Sequence, residues 1–197
     1  MQREGTLADA IGYTFERRLQ YRYPFLRHNE RGSNLPDFTA DGFYLEAKGH
    51  CYEYGGRIHW DQLEKFHGLV KPIFYMYGRH KVYGLSRMPK ALSFDTATKL
   101  RFDNLCLVDN ALIEPFFAME QRFSKKRGEN IDEHYCVFKP RHDRQIIGND
   151  LIRRGDELVQ AHEFYGINAD EWDFSKVNDI QLLVLKEHRQ LIEQLIS

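Results

Sequence analysis

The chain has 197 residues, enough for one domain with an elaboration or for a small pair, and 42% of them are hydrophobic, so a sizeable core can form. A formal charge of −1 excludes bulk attraction to nucleic acid, and any such partner must be met by a local basic surface. No stretch approaches the ~20 apolar residues of a membrane span, Met1 to Gly5 lacks the apolar run of a signal peptide, and three widely spaced cysteines (Cys51, Cys106, Cys136) point to a reducing, cytoplasmic setting without a disulfide framework.

Thr6 to about Tyr21 is predicted as the first helix. Leu7, Ile11, Phe15 and Leu19 recur every four residues as one apolar stripe. Thr6 can cap it, with Asp9 completing a rough capping box. Glu16 sits at the edge of the stripe, and Gly12, one turn earlier, offers a place where a strand could approach. Arg17, Arg18, Arg22, Arg27, His28 and Arg31 follow, interleaved with Tyr21, Tyr23 and Phe25. Such mixtures suit a phosphate-tracking surface and equally a solvated helix end. Arg31 to Asn34 reads as a loop.

Leu35 to Lys48 is the most informative stretch. Asp41-Gly42 is a strong hairpin signal, predicting a type I′ turn with positive φ at both residues. The register then puts Ala40 opposite Phe43, Thr39 opposite Tyr44, Phe38 opposite Leu45 and Asp37 opposite Glu46. Because side chains alternate between faces, Phe38, Ala40, Phe43, Leu45 and Ala47 form an apolar face. Asp37, Thr39, Tyr44, Glu46 and Lys48 form the other. Two carboxylates as direct cross-strand partners, with Cβ atoms about 5 Å apart, destabilise a hairpin. A divalent cation bound by oxygen ligands would offset that repulsion, with Lys48 beside it for a phosphate or an attacking water. A solvated surface hairpin is the plainer alternative.

Gly49-His50-Cys51 follow, then Tyr52 to Gly56 as a Gly-ended loop, and a second helix is predicted from about Trp60 to Leu69, carrying Gln62 near its start. His50, His59 and His67 lack the tight paired spacing of a zinc site. His50, following Lys48 along its strand, is kept as a substrate contact. Pro72–Tyr77 and Lys81–Leu85 read as strands joined by a turn at Gly78-Arg79-His80, and Leu105–Val108 with Ala111–Ile113 as a further short strand or hairpin around Asp109-Asn110. Pro115–Phe123 reads as helix, ending in the basic Lys125-Lys126-Arg127-Gly128. Tyr135–Phe138 reads as a strand. Asn149 is expected to cap a helix to about Tyr165 with Gly166 after it, and Ser175 or Asp179 to open a final amphipathic helix to Ile196.

Pro36-Asp37, eight residues, then Glu46-Ala47-Lys48 resembles the signature of the PD-(D/E)XK nuclease superfamily, which includes restriction endonucleases, Holliday-junction resolvases and recombination nucleases. The resemblance covers about residues 5–115. It implies an α/β, restriction-endonuclease-like core with a central mixed β-sheet flanked by helices (1–115); of 116–197 it says nothing, and their own pattern reads as a mainly helical C-terminal extension packed on the core. It implies a Mg²⁺-dependent deoxyribonuclease, with Mn²⁺ able to substitute. Asp37, Glu46 and the Ala47 carbonyl would ligate the metal. Lys48 would act on the water and phosphate, Glu16 would support a coordinated water, and Gln62 would contact the scissile region. Arg27, Arg31, His50 and Lys126 are candidates for nucleic-acid contacts. For Glu16 the alternative is pairing with Arg17 or Gln20, and for Gln62 plain surface exposure. The alternative functions are a structure-selective junction resolvase, which requires a homodimer, a nuclease-like module that binds nucleic acid without catalysis, and a globular interaction protein with a chance match. A melting-temperature response to divalent ions separates the last from the others.

Overall fold

The apolar stripe of the N-terminal segment folds as helix α1 (Leu7–Arg22) and buries Ile11, Phe15 and Leu19. It opens a computed structural model that describes residues 7–30, 32–50, 56–82, 100–113, 118–124, 129–138, 144–147, 150–153 and 169–197. Strands β1 (Arg27–His28), β2 (Phe38–Thr39), β3 (Tyr44–His50) and β4 (Gly56–His59) follow, then helix α2 (Trp60–Phe66) and the long strands β5 (Ile73–Val82) and β6 (Leu100–Asp109). A short helix α3 (Asn110–Ile113) precedes β7 (Ala118–Ser124), β8 (Glu129–Phe138), β9 (Arg144–Ile147) and β10 (Asp150–Arg153). A 3-10 turn (Ala169–Glu171) leads into β11 (Trp172–Asp173), β12 (Lys176–Val177) and β13 (Ile180–Leu185). A 3-10 segment (Lys186–Ile192) and a final turn of helix, α4 (Glu193–Ile196), complete the described residues.

The architecture is mixed α/β around a central mixed sheet of eight strands, ordered β1-β2-β3-β5-β6-β13-β11, with β12 beside β13. The β3–β5 and β6–β13 pairs are parallel and the rest antiparallel. β4, β8 and β7 form a separate three-stranded sheet, and β9 and β10 a two-stranded one. α1 lies on the face of the central sheet that carries Phe38, Ala40, Phe43, Leu45, Phe74, Met76, Leu107 and Leu182, all buried in one cluster. Gly49 and Gly78 are register partners on β3 and β5, and they let the helix come close. A Cβ on Gly78 would stand 2.6 Å from Phe15 Cζ, whereas nothing lies within 4 Å of one on Gly12. The close approach predicted for the helix glycine is thus made by the strand glycines.

Several other expectations are corrected. Gly78-Arg79-His80 is not a turn, because β5 continues to Val82 and the glycine serves the packing of Phe15. Leu105–Val108 is strand as expected, within β6, but Asp109-Asn110 starts α3 instead of a hairpin, with Asp109 Oδ1 accepting the Ala111 N–H at 3.1 Å as a cap. The C-terminal region is not mainly helical among the described residues. β7 occupies Ala118–Ser124 and β10 starts at Asp150, where helices were expected. The expected final helix is strands β12 and β13 followed by the 3-10 segment, and only its end, α4, is α-helical. Asn178 and Asp179 have φ of 46° and 65° and make the β12–β13 hairpin turn, which stops helix formation there. β13 pairs directly with β6, and Ile180, Leu182, Val184, Ile192, Leu195 and Ile196 join the main core.

Candidate active site

The Leu35–Lys48 stretch folds in the register its alternation predicts. Phe38 pairs with Leu45 and Thr39 with Tyr44, and the Ala40 N–H donates to the Phe43 carbonyl at 2.9 Å. The tip differs from the expected type I′ turn, since neither Asp41 nor Gly42 has positive φ. It is held from outside. Lys71 Nζ donates to the Ala40 carbonyl at 2.9 Å, the Tyr44 N–H donates to the Pro72 carbonyl at 2.8 Å, and Leu191 packs against Gly42.

On the face opposite α1, Asp37, Glu46 and Lys48 come together. Lys48 Nζ donates to Glu46 Oε1 at 2.9 Å and to Gln62 Oε1 at 3.0 Å. Gln62 Nε2 donates to the same Glu46 oxygen at 2.5 Å, and the Asp37 N–H to Glu46 Oε2 at 3.1 Å. Three donors therefore converge on Glu46, a side chain only 7% exposed. Asp37 accepts one, the Ala47 N–H at 2.8 Å on Oδ2. No described cation pairs directly with Asp37. Burial, then the Glu46 charge, pushes the Asp37 carboxyl up from 3.8 to about 7, with Glu16 adding to the rise; the Ala47 N–H and Lys48 oppose it. Tyr75 and Tyr77, register partners of Glu46 and Lys48 on β5, are fully buried and exclude water from that side.

Glu16 lies beside this group, within electrostatic reach of Asp37. Its partner is neither Arg17 nor Gln20 but His28 Nε2, at 2.9 Å; Arg17 bonds Gln20 instead. Arg27 is exposed and 3.8 Å from Asp41. Arg31, Lys126 and the side chain of His50 lie outside the described residues.

No family model, curated protein or solved structure matches the chain. The case for function therefore stands on this geometry. Sequence reasoning did not single out four residues that shape the site. Tyr75 and Tyr77 were hidden in a continuous apolar run, and His28 and Asn29 in a basic-aromatic one. Asn29 ties β1 to the Pro36-Asp37 segment: its N–H donates to the Asp37 carbonyl at 2.8 Å and its Nδ2 to the Pro36 carbonyl at 2.7 Å. It also exchanges hydrogen bonds with the Thr39 hydroxyl at 2.9 and 3.0 Å. An Asn eight residues before Asp37, facing a threonine two residues beyond it, is the signal that could have found the clamp.

Proposed function

We propose that the chain is a Mg²⁺-dependent deoxyribonuclease of PD-(D/E)XK type, built on a restriction-endonuclease-like core. One observation carries the reading: two neighbouring carboxylates share a face with Lys48, and one of them, Asp37, has no described cation of its own.

The donor set fits a hard divalent ion. In an extended strand the N–H and C=O of one residue leave on the same side. The Ala47 N–H points to Asp37, so its carbonyl faces that side too. Asp37, Glu46 and the Ala47 carbonyl would hold the ion. Among the described residues no group of three His, Cys, Asp or Glu side chains could make a protein-only cage. Mg²⁺ usually takes one or two carboxylates and completes its shell with water and phosphate oxygens. Mg²⁺, when bound, supplies the charge that activates a water and neutralises the phosphate.

The protein groups do the rest. Lys48 places a positive charge where the phosphate becomes more negative in the transition state. Gln62, bonded to both Lys48 and Glu46, fixes their separation. Tyr75 and Tyr77 lower the local dielectric, which strengthens every charge interaction in the site. Asp37 must be ionised to bind a cation, so ion affinity rises with pH through about 7.

The test is incubation of the protein with plasmid, linear duplex, single-stranded and four-way-junction DNA, with Mg²⁺ and with EDTA. Cleavage should require the ion. Lys48→Ala should lower single-turnover cleavage by about a hundredfold or more while DNA affinity falls only modestly, because other basic groups share the phosphate contacts. Wild-type cleavage by Lys48→Ala at saturating DNA would remove Lys48 from the chemistry. Binding of DNA without cleavage under any divalent ion would make the chain a non-catalytic module.

A further inference from the structure

Glu16, on α1, lies within electrostatic reach of Asp37, yet none of Asp37, Glu46, Lys48 or Gln62 bonds to it. Its side chain is 13% exposed and its charge reaches Asp37, while the Lys48 ammonium bonds Glu46. Left alone, a third carboxylate there would turn outward to escape like charge. The group that holds it is His28, whose Nε2 is 2.9 Å from Glu16 Oε2. A neutral imidazole with its proton on Nε2 and an imidazolium both donate to that oxygen.

We propose that His28 is a positioning residue for the ion site, holding the Glu16 carboxylate toward the Asp37–Glu46 pair. The proposal rests on the nuclease reading above. His28 is suited to the role because its own position is set by the strand next to Asp37. It pairs with Phe38 across β1 and β2, and its ring stands edge-on to the Phe38 ring with centroids 5.1 Å apart. Phe38 is fully buried, so it does not yield. The next residue, Asn29, bonds the Asp37 and Pro36 carbonyls and Thr39. Residues 28 and 29 thus bind α1 and the Asp37 segment into one frame. Partners of this kind, one bond removed from the ion, are typically worth about 10–100-fold in metal affinity or activity.

The experiment measures Mn²⁺ and Ca²⁺ affinity by calorimetry without DNA, alongside the Mg²⁺ dependence of cleavage. His28→Ala should weaken ion affinity about tenfold or more and raise the Mg²⁺ concentration needed for half-maximal cleavage by a similar factor. His28→Gln, whose amide can still donate to Glu16, should recover most of the loss. In a Glu16→Gln background, His28→Ala should cost little more. Should His28→Ala not fold, His28→Phe keeps an aromatic ring against Phe38 and removes the donor. A donor-less variant that titrates like wild type, or one whose loss is as large without Glu16, overturns the proposal. A wild-type protein that binds no divalent ion and cuts no DNA instead overturns the nuclease reading, and this proposal with it.

Discussion

Asp37→Asn offers the most direct test of the electrostatics. At about 1.4 kcal/mol per pH unit, raising the carboxyl from 3.8 to about 7 makes the ionised form costlier in the folded protein by about 4 kcal/mol at most. The sign follows from proton binding. Between about pH 4 and pH 7 the folded state holds a proton at Asp37 that the unfolded chain has released, so this residue makes stability fall as pH rises and then level off. Asparagine carries no charge, keeps an oxygen that can accept the Ala47 N–H, and gains a donor beside Glu46. The variant should therefore be more stable than wild type at pH 8.5 in EDTA, by more than about 1 kcal/mol, and the gain should shrink steadily as pH falls through 7 and be lost only below about pH 4. Urea unfolding at a series of pH values reads this directly. The difference between the two proteins isolates Asp37 from every other titrating group. A variant no more stable than wild type at pH 8.5, or a gain that does not change with pH, would refute the reasoning.

Other outcomes follow from the same geometry. Mg²⁺, Mn²⁺ and Ca²⁺ should each raise the Tm of the wild-type protein, more at pH 8 than at pH 5.5, because the ion binds the folded state and needs ionised Asp37; no response to any of the three removes the ion site. Gly78→Ala puts a Cβ 2.6 Å from the Phe15 ring, which is itself buried and cannot swing away, so it should cost about 1–3 kcal/mol in urea unfolding; an unchanged midpoint would show that α1 does not sit that close. The His188 imidazole is held above its ordinary value by the hydrogen bond to buried Asp109. Its stabilising effect is full below about pH 6.5 and is lost as pH rises through the folded value. The stability gap between wild type and His188→Ala should therefore narrow from pH 5.5 to pH 8.5, and a gap that widens contradicts the pairing.

The parts of the fold legible in the sequence are those whose signals are local. The i, i+4 stripe of α1 and the alternation of the Asp37–Lys48 hairpin lie within contiguous residues, and each buries one face. What failed depended on distant partners. The turn signal at Gly78 was real glycine chemistry, but the demand came from Phe15 on a helix far earlier in the chain. Asp41-Gly42 and Asn178-Asp179 make an instructive pair. The first looks like a type I′ turn and is not one, because its tip is fixed by Lys71 and Leu191. The second has the positive φ values of such a turn, although Asp179 is equally suited to open a helix. Leu183, Leu191 and Leu195 have helical spacing. Yet Ile180–Leu185 is a strand paired on both edges, and such strands read as continuous apolar runs that periodicity alone cannot separate from helix. At the site, the acidic pair and Lys48 were readable because strand alternation places them. His28 was not, because its meaning lies in a residue on another element.

The position of β13 bears on how quickly the site hairpin gains its support. The Leu185 N–H bonds the Asp109 carboxylate across 76 residues of chain, at the end of a parallel strand pair. Closing a loop of that length adds little to the equilibrium cost, since the entropy grows only with the logarithm of length. It slows the search, because that entropy is lost before any contact rewards it. The Asp37–Glu46 hairpin can zip in roughly 1–10 μs, long before β13 finds β6. Leu191, which backs the hairpin tip at Gly42, comes with the segment that follows β13. Two like-charged carboxylates are therefore brought face to face early, on a ribbon whose tip gains its backing only when the slowest pairing is made.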